Sequence, residues 1–174
     1  LIEINIRLRQ IRFVQNLCVS VKQIRASGVS YMDNWDIRYL KLAEQVATWS
    51  KDPSSKIGAI AVGGKGEVLS TGYNGFPRHI SDDDRYKDRE QKYKYIVHAE
   101  ANCIYNATYN GVSLHNSNMY VWGLPCCSEC AKAIIQVGIR RVLMKGDPFN
   151  PRWRASTEDS LGMFKEAGVE WEFL

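Results

Sequence analysis

The stretch Met119-Tyr120-Val121-Trp122-Gly123-Leu124-Pro125-Cys126-Cys127-Ser128-Glu129-Cys130 begins as a short β-rich run. It breaks at Gly123 and Pro125 and continues into a predicted helix near 128–137. A second short motif, His98-Ala99-Glu100, opens another predicted helix near 99–110. Both clusters of reactive side chains therefore stand at helix N-termini. There, unpaired backbone N–H groups and the positive end of the helix dipole favour the thiolate form of a cysteine. A strand leading into a helix, with the chemistry at the junction, is the pattern of an α/β domain.

The same reading extends in both directions. Upstream, Ile37, Leu40, Ala43, Val46 and Ala47 mark one face of a first helix between Asp36 and Trp49, closed by Lys51-Asp52-Pro53. Two β-rich runs follow, Ile57 to Val62 and Val68 to Tyr73, joined by Gly63-Gly64-Lys65-Gly66, which predicts an antiparallel hairpin. Residues 74–95 have no clear periodicity and are too long for an ordinary connection, so they are expected to form a functional loop. Downstream come a strand near Val142–Met144 and a helix near Thr157–Ala167, with Ser156 and Asp159 as its capping pair. A last strand at Val169–Phe173 closes the chain. A hairpin followed by alternating strands and helices predicts a three-layer α/β/α domain around a mixed five-stranded sheet.

Residues 1–31 stand apart. They alternate apolar and polar at Ile2, Ile4, Ile6 and Leu8, then take helical spacing at Val14, Leu17, Val21 and Ile24. They also carry Arg7, Arg9, Arg12, Lys22 and Arg25 against Glu3 alone, which accounts for the whole formal charge of +4. The segment reads as a basic N-terminal extension, and residues 32–174 as the folded domain that carries both motifs. Because the remainder is neutral, a polyanion-binding surface is not expected there, and a nucleic-acid partner is disfavoured. No apolar run is long enough to span a bilayer. Three of the five cysteines fall within 126–130, which suits metal binding better than a disulfide framework and predicts a reducing, cytoplasmic setting.

The donor set explains the spacing. Two thiolates, Cys127 and Cys130, and the His98 imidazole neutralise Zn²⁺ and fill three tetrahedral positions, leaving the fourth for a water whose pKa falls towards about 7. Residues two apart on a helix point in different directions, so His98 and Glu100 diverge unless the helix starts between them. His98 at the cap then reaches the metal, while Glu100 in the first turn reaches water and substrate as general acid/base. Cys126 offers an alternative first thiolate. A closed structural site, with Cys126 or Cys103 as fourth ligand, is the non-catalytic alternative.

H-x-E followed by P-C-x-x-C resembles the zinc nucleobase deaminases, and the wider sequence resembles the deoxycytidylate (dCMP) deaminases within the cytidine deaminase superfamily. The resemblance runs through Trp35, Leu40 and Ala43, Ser50-Lys51-Asp52-Pro53, Lys56-Ile57-Gly58-Ala59 and Thr71-Gly72-Tyr73-Asn74-Gly75-Phe76-Pro77. It continues through Tyr95-Ile96-Val97-His98-Ala99-Glu100, Met119-Tyr120-Val121, Cys130-Ala131-Lys132 and Ile134-Ile135-Gln136. It implies the cytidine deaminase fold and hydrolysis of dCMP to dUMP and ammonia, which supplies thymidylate synthesis. It further implies a homo-oligomer, often a hexamer, activated by dCTP and inhibited by dTTP, with Mg²⁺ accompanying the triphosphate. By position, Asn74 would bind the deoxyribose hydroxyl, the Ala99 N–H would hold the cytosine carbonyl, and Ser128 would also contact substrate. Arg78, Arg85 and Lys87, beside Lys51, would face nucleotide phosphate. The turn Gly72-Tyr73-Asn74-Gly75 would receive the effector. The chain departs from the family pattern in having one extra residue between Pro125 and Cys130. Deamination of dCTP, cytidine or a base within nucleic acid, and a zinc-stabilised module without catalysis, are the alternative readings.

Overall fold

A computed structural model describes residues 34–174, and the expectations for 1–31 lie outside the described residues. From Asp36 onward the chain folds as one compact unit. Helix α1 (Asn34–Ala47) leads to strands β1 (Gly58–Val62) and β2 (Val68–Tyr73). A 3₁₀ turn (Asp84–Tyr86) and helix α2 (Arg89–Tyr95) follow, then α3 (Ala99–Tyr109), β3 (Asn118–Trp122), α4 (Ser128–Gln136), β4 (Arg141–Lys145), α5 (Arg154–Ala167) and β5 (Glu170–Phe173).

The strands form one mixed sheet in the order β2-β1-β3-β4-β5. β1 is antiparallel to both β2 and β3, whereas β3, β4 and β5 run parallel. Side-chain alternation sorts the core into two layers. Ile60, Val62, Tyr120 and Leu143 face α1, packing on Leu40, Ala43 and Val46. Ala59, Ala61, Met119, Val121, Val142 and Met144 face the opposite way, against residues of α3, α4 and α5 such as Ile104, Ile134 and Phe164. The expected three-layer α/β/α arrangement is thus observed.

Small residues let the layers approach closely. A Cβ on Gly58 would meet the Ala43 carbonyl and the Ala47 nitrogen within 3.0 Å, and one on Gly72 would meet Cys103 N and Ala99 O as closely. These two glycines set how near α1 and α3 lie to the sheet. In the β1–β2 turn Gly66 takes φ +85°, a conformation that L side chains rarely adopt.

Two expectations need correction. Residues 74–95 are not an unstructured loop. Gly75 pairs with Val97, Asp83 caps the 3₁₀ turn, and Asp88 caps α2 by accepting from the Glu90 and Gln91 N–H groups. Helix α5 starts at Arg154 rather than Thr157, with Trp153 at its N-cap. Ser156 therefore caps nothing in α5; its hydroxyl accepts from the Ser128 N–H at 3.0 Å.

Candidate active site

His98 and Cys127 occupy the N-cap positions of α3 and α4, both with extended backbone. This turns their side chains out of the helices and towards each other. Cys127 Sγ lies 3.3 Å and Cys130 Sγ 3.5 Å from His98 Nδ1, and the three ligand atoms all fall within 4.8 Å of one another. Zn–S and Zn–N bonds of about 2.3 and 2.05 Å give a tetrahedral S···N edge of about 3.6 Å, so the trio fits zinc. Its protonation also suits a metal. Hydrogen bonding from Cys130, together with His98, holds the Cys127 thiol well below its ordinary value, while the same bond pushes Cys130 up. The Cys127 sulfur in turn raises the His98 imidazole to about 9. One thiolate is already favoured, and metal binding displaces the remaining protons.

The other two buried cysteines stand outside this group among the described residues. Cys103 lies under β2, where burial pushes its thiol up to about 12. Cys126 is fully buried: its backbone N–H points to Met144 Sδ at 3.4 Å, and burial, together with the nearby Glu100 carboxyl, pushes its thiol well up. Neither thiol joins the trio as a fourth ligand, so the arrangement is that of an open site rather than a closed structural one.

Glu100 sits in the first turn of α3, only 4% exposed, and lines the same pocket as His98, Ala99 and Cys127. Burial pushes its carboxyl up, partly opposed by His98. A carboxyl pushed up beside a metal site can both take and give a proton near neutral pH.

The pocket wall is a polar network. Asn74 Oδ1 accepts from the Ile57 N–H at 2.8 Å, and its Nδ2 donates to the Ser55 carbonyl at 2.8 Å and to Asp52 Oδ2 at 3.3 Å. Both Asn74 donors are thus committed, and only acceptor capacity remains for a sugar hydroxyl. Asp52 also pairs with Lys92 at 3.0 Å, with both side chains buried.

The phosphate cations expected from the sequence are not among the pocket's lining residues. Lys51 pairs with Asp82 at 2.7 Å, Arg85 with Asp83 at 2.8 Å and Lys87 with Asp84 at 2.6 Å. Arg78 bonds the Asn106 side chain and stacks on Tyr109. Ser128 lies behind Ser156 rather than on the pocket surface. Of the turn at 72–75, Gly72 is fixed by close packing, and Tyr73 stands edge-on to Trp49 at 6.2 Å. Sequence reasoning missed Lys92, Tyr93, Trp153 and Thr157, all of which line the pocket. The Asp88 cap was the one local signal for the helix that carries Lys92 and Tyr93.

Comparison with known proteins agrees with this geometry. The family described as "Cytidine and deoxycytidylate deaminase zinc-binding region" matches residues 33–145, which hold the entire trio and Glu100. A probable deoxycytidylate deaminase of Drosophila melanogaster is 39% identical over 152 residues, covering 80% of this chain and 71% of its own. The deoxycytidylate deaminase of Homo sapiens is 36% identical over 141 residues, covering 78% and 76%. The crystal structure of dCMP deaminase from the cyanophage S-TIM5 in complex with dCMP and dUMP shares the fold. Its TM-score is 0.65 at 24% identity, covering 82% of this chain and 98% of that one. With the metal-binding trio, the buried glutamate and the sequence match falling on the same residues, the chain belongs to the cytidine and deoxycytidylate deaminase family.

Proposed function

We propose that this chain hydrolyses dCMP to dUMP and ammonia. The observation that carries the proposal is the placement of Glu100 at the floor of the pocket that His98 and Cys127 also line. Zinc held by His98, Cys127 and Cys130 would supply Lewis-acid charge and an activated water for attack at C4. Glu100 takes a proton from the attacking water, delivers it to N3, and then assists departure of ammonia from C4. The Ala99 backbone holds the cytosine carbonyl, and Asn74 Oδ1, with its remaining lone pair, accepts from a deoxyribose hydroxyl. The names of the relatives support dCMP as the substrate.

The resemblance at Gly72-Tyr73-Asn74-Gly75 supports regulation in a homo-oligomer, with dCTP raising and dTTP lowering turnover and Mg²⁺ accompanying the triphosphate. Residues 32–174 form the deaminase domain in this reading, supported by the family match, and 1–31 form a basic extension. The described cysteines are all free, which supports a cytoplasmic setting. No described helix is long and apolar enough to cross a membrane.

Glu100→Gln tests the catalytic role. The variant is expected to keep its zinc and lose about 10²–10⁴-fold in turnover. Turnover within threefold of the parent would overturn the assignment.

A further inference from the structure

Asp52 and Lys92 are buried side chains of opposite charge on the pocket wall, and the chemistry proposed above gives them no part. They are 2% and 8% exposed, and their hydrogen-bonding capacity is spent. The Lys92 ammonium has three N–H donors. It gives them to Asp52 Oδ1 at 3.2 Å, to Asp52 Oδ2 at 3.0 Å and to the Ser54 hydroxyl. Asp52 Oδ1 also accepts from Ser54 N, Ser54 Oγ and Ser55 N, and Oδ2 also accepts from Asn74 Nδ2 at 3.3 Å. Neither charge therefore has a contact left to offer a substrate. Stability does not account for the pair either, because a buried ion pair is often no more stabilising than apolar side chains of the same size. What the pair does hold is Asn74, a residue with acceptor capacity turned to the pocket.

We propose that Asp52 is a positioning residue: it holds the Asn74 amide with its oxygen towards the pocket, so that the site reads the 3′ position of the sugar as a hydrogen-bond donor. The inference rests on the reading above, in which Asn74 accepts from a deoxyribose hydroxyl; in dCMP the one free hydroxyl is at C3′. The Asn74 backbone is already fixed, its N–H on the Ile57 carbonyl at 3.2 Å and its carbonyl accepting from Ser50 Oγ at 2.7 Å. What remains to be set is which end of the amide faces which wall. A carboxylate only accepts, so Asp52 admits the NH₂ end of Asn74 and repels the oxygen end. The Ser55 carbonyl and the Ile57 N–H favour the same orientation. The donors around Asp52 are shared unevenly, four on Oδ1 and two on Oδ2, and this asymmetry decides what an asparagine would do there. Its oxygen would stay with the larger group of donors, and its NH₂ would take the place of Oδ2, against the NH₂ of Asn74. Donor would then face donor, and relief of that conflict turns the Asn74 oxygen towards residue 52 and its NH₂ towards the pocket.

The test is equilibrium binding, by calorimetry, of dCMP and of its 3′-fluoro-2′,3′-dideoxy analogue, which keeps nearly the size of the hydroxyl and loses its donor. The zinc-loaded parent, Lys92→Met, Asp52→Asn and the double variant Asp52→Asn/Lys92→Met are compared, with ammonia release measured on the same preparations. The parent should bind dCMP about tenfold or more tighter than the analogue, the effect of one hydrogen bond to a buried acceptor otherwise left unsatisfied. Asp52→Asn should bring that preference within about threefold, mainly by weakening dCMP. Lys92→Met should keep it, because Asp52 still accepts from Asn74, Ser54 and Ser55. The double variant sets the same NH₂ against Asn74 without an unpaired ammonium, so it gives the reading even where Asp52→Asn fails to fold, and its preference should be lost as well. A parent with no preference would overturn the proposal. So would a preference kept in the Asp52 variants with both ligands weakened equally. Loss of the preference from Lys92→Met as fully as from the Asp52 variants would also overturn it, because hydroxyl recognition would then follow stability alone. Because binding is read directly, a parent that shows the preference and releases no ammonia would count against deamination and not against the role of Asp52.

Discussion

Replacing Lys92 by methionine removes one half of an ion pair in which both side chains are buried, at relative exposures of 10% and 3%. Breaking a buried pair from one side costs about 3–5 kcal/mol, because the surviving charge is left without its partner. The structure says which side costs more. Without Lys92, Asp52 still accepts from Ser54 N and Ser54 Oγ, both at 2.8 Å, and from Ser55 N and Asn74 Nδ2, both at 3.3 Å. Without Asp52, the Lys92 ammonium keeps the Ser54 hydroxyl and the face of Tyr93. Lys92→Met should therefore cost about 3 kcal/mol and Asp52→Asn about 5, the two ends of that range. The double variant should be less destabilised than the sum by about 2 kcal/mol or more. With a urea m-value of about 2 kcal/mol per molar, the Lys92→Met midpoint moves down by about 1.5 M. Acid should erase the difference. Burial pushes the Asp52 carboxyl up, but hydrogen bonds from Ser54 and Lys92 outweigh it and hold it below its ordinary 3.8. A carboxyl depressed by folding contributes stability above its unfolded pKa, about 3.9, and loses it as pH falls through the folded value. The gap between parent and Asp52→Asn should thus be full near pH 7 and shrink below about pH 4. Urea unfolding of the zinc-loaded proteins at several pH values reads both effects. A single variant within 1 kcal/mol of the parent, or strictly additive costs, would refute the reasoning.

Elemental analysis should find about one zinc per chain in Cys126→Ser with most activity kept, and loss of both in Cys127→Ser and Cys130→Ser; metal loss in Cys126→Ser alone would move the first thiolate by one residue. Gly72→Ala should lose about 1–3 kcal/mol in urea unfolding, because its Cβ has nowhere to go between β2 and α3. Parent-like stability there would contradict the packing. Deleting residues 1–31 should leave turnover within about tenfold, a loss of under about 1.4 kcal/mol; a larger loss with the fold intact would give that segment a role in chemistry.

Much of this architecture was legible because it repeats simple periods. β2 runs over Val68–Tyr73 as read, and α3, β3 and α4 differ from the expected bounds by a residue or so, since alternation and helical spacing reflect burial on a sheet or helix face. Helix α2 escaped because its seven residues, Arg-Glu-Gln-Lys-Tyr-Lys-Tyr, carry no apolar stripe. What anchors it is the Asp88 cap and the long-range Lys92–Asp52 pair, which spans 40 positions. The start of α5 escaped because Ser156 looks like a cap locally, whereas its hydroxyl is taken by Ser128. The metal trio was legible because chelation demands particular residue types at fixed spacing. Whether the expected phosphate cations are already paired was less legible, because it depends partly on neighbours brought in by the fold: Lys51 meets Asp82 across 31 positions.

The central claim is tested most directly by measuring ammonia and dUMP released when the zinc-loaded chain is given dCMP, alongside dCTP, cytidine and deoxycytidine. The account predicts that dCMP is consumed with one ammonia and one dUMP formed per molecule, at the highest kcat/KM of the panel, and that chelating the zinc abolishes the release. Zinc bound in full with no ammonia from any of the four, or dCTP or cytidine clearly preferred to dCMP, would contradict it.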